Sequence, residues 1–333
     1  MSITTQDALN ERILSHLPKQ HDKAELATFY DLIRDYPERG GKHLRGQLVL
    51  RSVSAHGVAW RRGLDVAAAL ELFQNWVLIH DDIEDDSEDR RGAPALHRTV
   101  GMPVALNVGD ALHVYMWRVL HHLEGFSSDV QRLIFSEFEW MISRTAEGQH
   151  LDLSWVAEGI FGISEADYLE MVTLKTAYYT VVCPLRLGAL CAEVEPDVRF
   201  TEAGIDLGVA FQIRDDILNL MPDISYGKEF AGDLFEAKRT LVLAHLFAHA
   251  NGDEQEEVRE RLAKPRNDKT EEDIGRVLGF IERYGSLAYA QEVAEARAAR
   301  GLSLLSESFA DLPNQDEAQR ILDLLSSLAS RKT

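Results

Sequence analysis

The sequence of 333 residues contains little cysteine and no long apolar run. Its two cysteines, Cys183 and Cys191, are too few for a disulfide framework or a cysteine metal site. No uninterrupted apolar run reaches the roughly 18 residues that a membrane span needs. Residues 1–20 have neither the cationic start nor the apolar centre of a secretory signal. These absences predict a soluble, cytoplasmic protein with no integral membrane segment.

Positive charge is also in short supply. The chain has 35 Lys and Arg against 55 Asp and Glu, which gives a formal net charge of −20. Nucleic acids and anionic membranes are both held by clustered basic side chains. The charge balance therefore argues against nucleic acid and anionic lipid as partners held by charge.

Proline is scarce, with nine in the chain, so long stretches are free to be helical. Apolar residues recur at three- and four-residue intervals in five stretches, 64–83, 99–123, 130–145, 166–182 and 203–220. Convincing strand alternation and tight hairpin turns are missing from the pattern. We predict an all-α protein with ten or more helices.

Part of the acidity is concentrated in two similar motifs. Ile79-His-Asp-Asp-Ile-Glu-Asp85 matches Ile213-Arg-Asp-Asp-Ile-Leu-Asn219 in register at Ile, Asp, Asp and Ile. On a helix Asp81 and Asp85 share a face, and like charges at that spacing need a counterion. Oxygen ligands suit Mg²⁺ better than a soft metal. We therefore expect two carboxylate clusters that face each other across a cavity and hold Mg²⁺, with a solvated acidic surface as the alternative for either motif alone.

An acidic protein needs local cations if its ligand is an anion. Lys42 and Arg45 lie one turn apart at a predicted helix start, and Arg90 and Arg91 directly follow the first acidic motif. Helix N-termini favour anions, and an arginine fork binds phosphate through two hydrogen bonds. The alternative for these arginines is pairing with the neighbouring carboxylates.

Three further polar residues lie within predicted helices. Gln74 lies two turns before Asp81 on the same face, and a buried amide there needs a partner. Lys175 and Thr176 fall in the middle of a helix, where a surface position is the alternative.

Taken in order, these motifs resemble those of the trans-isoprenyl diphosphate synthases, the polyprenyl synthetase family. The matching motifs lie between Arg39 and Arg239 and include Gly41-Lys42-x-x-Arg45, Asp81-Asp82-x-x-Asp85, Arg90-Arg91-Gly92, Lys175-Thr176, Phe211-Gln212-x-x-Asp215-Asp216 and Gly227-Lys228. The resemblance implies an all-α isoprenoid synthase fold, a single large helical bundle around a central apolar cavity. It also implies one domain over residues 1–333 and a homodimer.

The resemblance assigns roles residue by residue. The residues implied in the chemistry are Asp81, Asp82, Asp85, Lys175 and Asp215, of which Asp81, Asp85 and Asp215 would ligate Mg²⁺. Those implied in substrate binding are Lys42, Arg45, Gln74 and Arg91 for isopentenyl diphosphate, and Arg90, Lys175, Gln212 and Lys228 for the allylic diphosphate, with Thr176 beside them. Asn219 stands where the family most often has Asp, so it is not expected to ligate the metal.

The implied reaction joins isopentenyl diphosphate head to tail to an allylic diphosphate. In this family the floor of the product tunnel lies four and five residues before the first aspartate, at Val77 and Trp76. These two positions contain one aromatic residue, and the first aspartate-rich motif has no insertion. This pattern resembles that of geranylgeranyl diphosphate synthases more than that of farnesyl diphosphate synthases. On an ideal helical wheel, however, Trp76 points away from the Asp81 face, and an ordinary core aromatic is the alternative.

Other functions remain as alternatives to a geranylgeranyl diphosphate synthase. They are, in order, a farnesyl diphosphate synthase, a longer-chain polyprenyl synthase, a class I terpene cyclase and a non-catalytic regulatory subunit. A terpene cyclase binds one diphosphate and has no use for Lys42, Arg45 and Gln74. An acidic Ca²⁺-binding protein is a more distant alternative.

Overall fold

The computed structural model describes residues 4–221 and 230–329. Within these ranges the chain is helical almost throughout, which confirms the all-α prediction. The α-helices are α1 Thr5–Ser15, α2 Ala24–Glu38, α3 Leu44–Ala55, α4 Leu64–Glu84, α5 Leu96–Val100, α6 Met102–His121, α7 Ser128–Ala157, α8 Glu165–Val172, α9 Cys183–Cys191, α10 Arg199–Asn219, α11 Gly232–Phe235, α12 Leu241–His249, α13 Gly252–Leu262, α14 Glu271–Arg283, α15 Ser286–Phe309 and α16 Gln315–Ala329. Short 3-10 turns span Trp60–Gly63 and Arg266–Asp268, and a π-helical segment spans Thr173–Val182.

Local sequence explains several helix starts. Thr4, Ser164 and Thr270 each cap a helix, and an aspartate three residues later bonds back to the cap. These reciprocal bonds satisfy two of the N–H groups that a helix start leaves unpaired. The predicted helix over 99–123 is instead two helices, because Gly101 adopts φ of 80° and separates α5 from α6.

The described chain divides into two compact units. The first contains the residues up to Trp140 together with Cys183–Phe200 and Ser308–Leu322. At its core, α4 is buried on all sides from Val66 to Asn75, as expected for a central helix. Three of those ten positions are polar, namely Glu71, Gln74 and Asn75. Buried polar side chains need partners, so this part of α4 has a role beyond packing.

The second unit contains Met141–Val182, Thr201–Glu307 and the residues from Asp323 onward, as far as they are described. Its apolar core includes Tyr168, Ile213, Phe247 and Val277. The core therefore encloses α8 and α10, the helix that carries the second acidic motif. The prediction of a single domain over residues 1–333 stays a prediction.

The π-helical segment Thr173–Val182 joins α8 directly to α9. The sequence pattern predicted one regular helix over 166–182. The wider turn comes with very close backbone contacts: a Cβ added to Gly148 would lie 2.2 Å from the Lys175 nitrogen, and one on Gly208 would lie 2.5 Å from the Ala177 Cα. Only glycine permits such contacts, and π-helical turns are frequent at functional sites.

A small hairpin follows the first acidic motif. Strands β1 Asp89–Arg90 and β2 Ala93–Pro94 pair antiparallel, with Arg90 opposite Ala93. The turn residues Arg91 and Gly92 have φ of 55° and 76°, and two positive φ values are typical of a two-residue hairpin turn. The sequence pattern predicted only a break here.

The sequence predicted no membrane-spanning segment and no disulfide framework, and both predictions can be compared with the described residues. No helix in residues 4–221 and 230–329 is both long enough and apolar enough to cross a membrane. Cys183 and Cys191 are buried free thiols, and burial raises the pKa of each.

Candidate active site

The first acidic motif lies at the C-terminal end of α4. Asp81 is in the last turn with its side chain 26% exposed, and the half-buried Asp85 caps the helix. The Asp85 N–H donates to the Asp81 carbonyl oxygen over 2.8 Å. The one-turn spacing predicted for these two carboxylates is confirmed, and it favours a shared cation.

Asp82 has a different environment from its neighbours. Its side chain is 0% exposed, and it accepts hydrogen bonds from the Tyr36 hydroxyl at 2.6 Å and from Arg90 Nε at 2.9 Å. Burial alone would lower the pKa of the Arg90 guanidinium, but its hydrogen bonds and charge attraction to Asp82 raise that pKa. Asp82 and Arg90 therefore form a buried ion pair. The Arg90 Nη2 also lies 3.8 Å from an Asp81 oxygen.

Arg91 is held by backbone and side-chain acceptors. Its Nη1 donates to the Tyr36 carbonyl oxygen at 2.7 Å and to Asn75 Oδ1 at 3.1 Å. Burial lowers the pKa of Arg91; the charge of Glu71 raises it, and the nearby charges of Arg90 and Arg45 lower it. Three guanidinium groups thus influence one another here, and guanidinium groups suit an anion that offers paired oxygens.

A buried glutamate anchors the loop that carries Lys42 and the start of α3, which carries Arg45. Glu71 Oε1 accepts the Gly46 N–H at 2.8 Å, and its Oε2 lies 3.0 Å from His43 Nδ1. Burial would raise the pKa of Glu71, but the His43 hydrogen bond and charge outweigh burial and lower it. The loop ends at His43, whose φ of 44° is left-handed, and α3 begins at the next residue. The predicted helix start is confirmed.

Two of the predicted binding residues in this loop region differ in exposure. Lys42 is exposed, whereas Arg45 is half-buried. Gln74 is buried in α4, and its Oε1 has no hydrogen-bond partner within the described parts of the chain. A buried acceptor without a donor is unusual and marks Gln74 as a candidate for ligand contact.

The second acidic motif repeats the arrangement of the first with different partners. Asp216 is buried in α10, where it accepts hydrogen bonds from the Tyr168 hydroxyl at 2.7 Å and from Gln212 Nε2 at 2.8 Å. Burial raises the pKa of Asp216 to about 8, and the charge of Asp233 adds to this effect. Asp215, one residue earlier, is half-buried.

The π-helical segment carries Lys175, a predicted binding residue in the second unit. Lys175 Nζ lies 2.5 Å from Asp152 Oδ2, and the Thr176 hydroxyl donates to Gln212 Oε1 at 3.0 Å. Gln212 therefore links the segment to Asp216. The predicted residue Lys228 lies outside the described residues.

Asn219 has a structural role in this unit. Its Oδ1 accepts the Asp233 N–H at 3.1 Å, and its carbonyl oxygen accepts the Ala231 N–H at 2.8 Å. The side chain thus fixes the start of α11. The absence of Asn219 from the predicted metal ligands stays a prediction.

Both predicted chain-length residues lie on α4 and are half-buried. The Trp76 ring stacks on His113 of α6 with centroids 4.0 Å apart and an interplanar angle of 15°. The helical wheel placed Trp76 away from the Asp81 face, and in the structure its ring lies against α6.

The carboxylate oxygens of the two acidic motifs can be compared with the ligands that Mg²⁺ prefers. Within residues 4–221 and 230–329, no group of three or more His, Cys, Asp or Glu side chains forms a ready-made metal site. Asp81 and Asp85 offer two carboxylates on one turn, and Asp215 offers one in the other unit. Few carboxylates, with waters and substrate oxygens completing the shell, are the usual Mg²⁺ arrangement, so the residues fit that ion.

Sequence reasoning missed the residues that hold the motifs in place. Tyr36 and Tyr168 are 46 and 48 residues from the aspartates they contact, and no local pattern links them. Glu71 did carry a signal, because it is a charged residue between Leu70 and Leu72 in an apolar helical stretch.

Several known proteins are similar to this chain in sequence and in fold. The polyprenyl synthetase family model matches residues 27–280. The geranylgeranyl diphosphate synthase of Saccharolobus solfataricus is 34% identical over 77% of this chain and 76% of its own. The geranylfarnesyl diphosphate synthase of Aeropyrum pernix is 32% identical over 86% and 88%. The geranylgeranyl pyrophosphate synthase of Corynebacterium glutamicum, solved with isoprenyl diphosphate and magnesium, is 25% identical over 100% of both chains, with a TM-score of 0.87.

This chain belongs to the polyprenyl synthetase family. It is therefore a transferase with the all-α fold of the isoprenyl diphosphate synthases, and the family prediction is confirmed.

Proposed function

We propose that this protein condenses isopentenyl diphosphate with an allylic diphosphate and makes mainly geranylgeranyl diphosphate. The observation that carries the proposal is the group of cations at the end of α4, where Arg90 contacts Asp82 and lies near Asp81, and where Arg45 and Arg91 add charge. Carboxylates beside guanidinium groups suit a diphosphate that arrives with a metal. The sequence similarity to geranylgeranyl diphosphate synthases supports the choice of product.

Asp81, Asp85 and Asp215 are the proposed Mg²⁺ ligands. Support comes from their half-buried carboxylates, which keep solvent access, and from the burial of Asp82 and Asp216, which are engaged elsewhere. When bound, Mg²⁺ would neutralise charge on the allylic diphosphate leaving group. We propose that both motifs serve one reaction.

The basic and amide side chains are proposed to hold the two substrates. Those for isopentenyl diphosphate are Lys42, Arg45, Gln74 and Arg91, and those for the allylic diphosphate are Arg90, Lys175, Thr176, Gln212 and Lys228. Their donors stabilise the negative charge that develops as the allylic carbon–oxygen bond breaks. The allylic cation then alkylates the double bond of isopentenyl diphosphate, and the released diphosphate takes the proton. Because Asp82 already orients Arg90, this donor needs little rearrangement when substrate binds.

The assembly and location of the enzyme are also proposals. We propose a homodimer in which each chain acts as one domain over residues 1–333. Exposed apolar side chains on α6 support an interface, among them Met102, Leu106 and Val114, at 59%, 44% and 64% exposure. We propose a cytoplasmic location, where the free thiols of Cys183 and Cys191 would stay reduced.

The first experiment is a product-length assay. Labelled isopentenyl diphosphate is incubated with farnesyl diphosphate, Mg²⁺ and the enzyme, and the products are separated by chain length. We expect geranylgeranyl diphosphate as the main product. Products that stop at farnesyl diphosphate would favour the farnesyl synthase alternative, and products one unit longer would agree with the likeness to geranylfarnesyl diphosphate synthases.

The second experiment tests the metal ligands. Asp81→Ala and Asp215→Ala should each lower turnover by orders of magnitude, while Asp89→Ala, an exposed aspartate of the hairpin, serves as the control. Circular dichroism would check that each variant is folded. Full turnover in a folded Asp81→Ala variant would contradict the proposed site.

A further inference from the structure

Four aromatic rings form a continuous series across α4, α6 and α7. We call this series the aromatic ladder and define it as Trp76, His113, Trp117 and Phe135. Trp76 and His113 stack at 4.0 Å, and Trp117 and Phe135 contact each other with centroids 4.7 Å apart. Between these two pairs, Trp117 Nε1 donates to His113 Nε2 at 2.6 Å. The ladder therefore connects the proposed tunnel floor on α4 to two other helices.

Trp76 depends on the ladder for its position. Its Nε1 is buried and has no hydrogen-bond partner among the described residues. Phe73 and His80 contact the indole edge-on, at 5.6 Å and 5.9 Å, but both belong to α4 itself. The face-to-face contact from outside α4 is the one with His113.

The two helices approach closely at this level. A Cβ added to Gly109 would lie 3.5 Å from Trp76 Cδ1 and 2.4 Å from His80 Nε2. Glycine thus lets α6 come near enough for His113 to stack on Trp76. The stack is consequently a feature of the helix pair and does not depend on a flexible loop.

The hydrogen bond that Trp117 donates determines which nitrogen of the neutral His113 imidazole carries the hydrogen. Since Nε2 accepts a proton donor, the neutral ring carries its own hydrogen on Nδ1. Burial lowers the pKa of His113, which keeps Nε2 available as an acceptor. His113 is therefore held in one orientation, with its face against Trp76.

A side chain limits the length of a growing apolar tail only if it resists displacement. Burying five more carbon atoms is strongly favourable, whereas rotating an unsupported side chain between rotamers costs much less. An indole held by α4 alone would therefore yield to the tail. A second ring fixed behind the indole prevents it from rotating, so that the indole can block further growth of the tail.

We propose that His113 and Trp117 are positioning residues that set product length by holding Trp76 in place. This inference rests on the proposed function and on the family resemblance, which implies that Trp76 forms the floor of the product tunnel. His113 supplies the stacking surface, and Trp117 keeps that surface oriented.

The test is the product distribution of single variants in the full-length enzyme with farnesyl diphosphate and labelled isopentenyl diphosphate. His113→Ala should raise the ratio of products longer than geranylgeranyl diphosphate roughly two- to tenfold, the factor that the loss of one aromatic pair supplies. Trp117→Phe, which keeps the ring but removes the N–H donor, should raise the ratio less. His113→Phe retains a stacking ring and should keep the wild-type distribution. His121→Ala, an exposed histidine on the same helix, is the matched control.

The outcomes separate this inference from the proposed function. If Trp76→Ala lengthens the product and His113→Ala does not, the positioning role is wrong while the synthase function stands. If neither variant changes the product, Trp76 is not the floor, and the inference is wrong. If wild-type enzyme forms no prenyl diphosphate, the proposed function itself fails. Should His113→Ala not fold, a His113→Phe variant with wild-type products and a Trp117→Phe variant with longer ones would carry the inference. Wild-type products from a folded Trp117→Phe variant would then overturn it.

Discussion

The two aspartate-rich motifs place their second aspartate in closely similar environments. Asp82 in the first unit and Asp216 in the second are both buried on a central helix. Each accepts a hydrogen bond from a buried tyrosine hydroxyl, Tyr36 at 2.6 Å and Tyr168 at 2.7 Å. In both motifs the first aspartate stays half-buried. The matching Asp-Asp-Ile sequences thus adopt matching local structures.

The difference lies in how the buried charge is compensated. Asp82 pairs with the guanidinium of Arg90, whereas the partners of Asp216 among the described residues are the neutral amide of Gln212 and the tyrosine. Burial raises the pKa of Asp216 to about 8. Similar sequences therefore place their buried aspartates beside partners of different charge.

Removing the charge of Asp82 should have the largest effect. Asp82→Asn removes the hydrogen-bonded counterion of Arg90, and breaking a buried pair costs about 3–5 kcal/mol, here towards the lower end because Asp81 remains 3.8 Å from Arg90. We expect this loss in the free energy of unfolding, measured by urea denaturation, together with a strong loss of prenyl transfer because Arg90 is no longer oriented. Asp89→Asn in the neighbouring hairpin is the exposed control. Equal stability of the two variants would show that the pair contributes nothing.

The next largest effect is expected from a substitution that displaces the backbone of the second unit. Lys175 lies where the π-helical segment contacts Gly148, and an added Cβ would lie 2.2 Å from the Lys175 nitrogen. Gly148→Ala should therefore displace Lys175, and a displacement of about 1 Å can cost on the order of a hundredfold in rate. Steady-state kinetics with varied allylic diphosphate would measure it, with Gly162→Ala as control because nothing lies within 4 Å of its added Cβ. Unchanged kinetics in a folded Gly148→Ala variant would contradict a positioned lysine.

The sequence predicted the helices of the site far better than the partners of its side chains. Apolar periodicity predicted a helix over 64–83, and α4 spans Leu64–Glu84. The spacing of Asp81 and Asp85 then followed from helix geometry. Helical structure is encoded locally, so a single sequence is sufficient to find it.

Features set by tertiary contact could not be found in the same way. Pairing of Arg90 with a neighbouring carboxylate was an alternative from the sequence, but no local pattern showed that the buried Asp82 would accept its hydrogen bonds. The π-helical turn around Lys175 depends on close contacts with Gly148 and Gly208, from helices distant in sequence. These choices depend on which elements meet, and a local pattern contains no information about that.

The two tyrosines provide a matched pair of smaller changes. Tyr36→Phe removes a hydrogen bond to a charged carboxylate and leaves the Leu96 N–H, 3.1 Å from the hydroxyl, without its acceptor. Tyr168→Phe removes a bond to a carboxyl group that burial keeps largely neutral. Hydrogen bonds to charged groups contribute about 1.5–3 kcal/mol and neutral ones about 0.5–1.5 kcal/mol. We expect Tyr36→Phe to lower the free energy of unfolding more, and the reverse order in urea denaturation would contradict the assigned charge states.

Near pH 4 the smallest change in the free energy of unfolding should come from Asp216→Asn, which mimics a protonated carboxyl group. The pKa of Asp216 is about 8 in the fold, against about 4 in an unfolded chain. Between these values the folded chain binds the proton more tightly, so its stability falls as the pH rises. The contribution of Asp216 is complete below about pH 4 and is lost as the pH rises through about 8.

Asn cannot titrate, so the variant lacks this dependence. In metal-free protein with a chelator present, wild type and Asp216→Asn should have similar free energies of unfolding near pH 4, and the variant should become increasingly the more stable one as the pH rises towards 8. Urea denaturation of both proteins across this range isolates Asp216, because every other titrating group is common to the two. Parallel stability curves would mean that Asp216 is ionised throughout and that its burial beside a neutral partner does not keep it protonated.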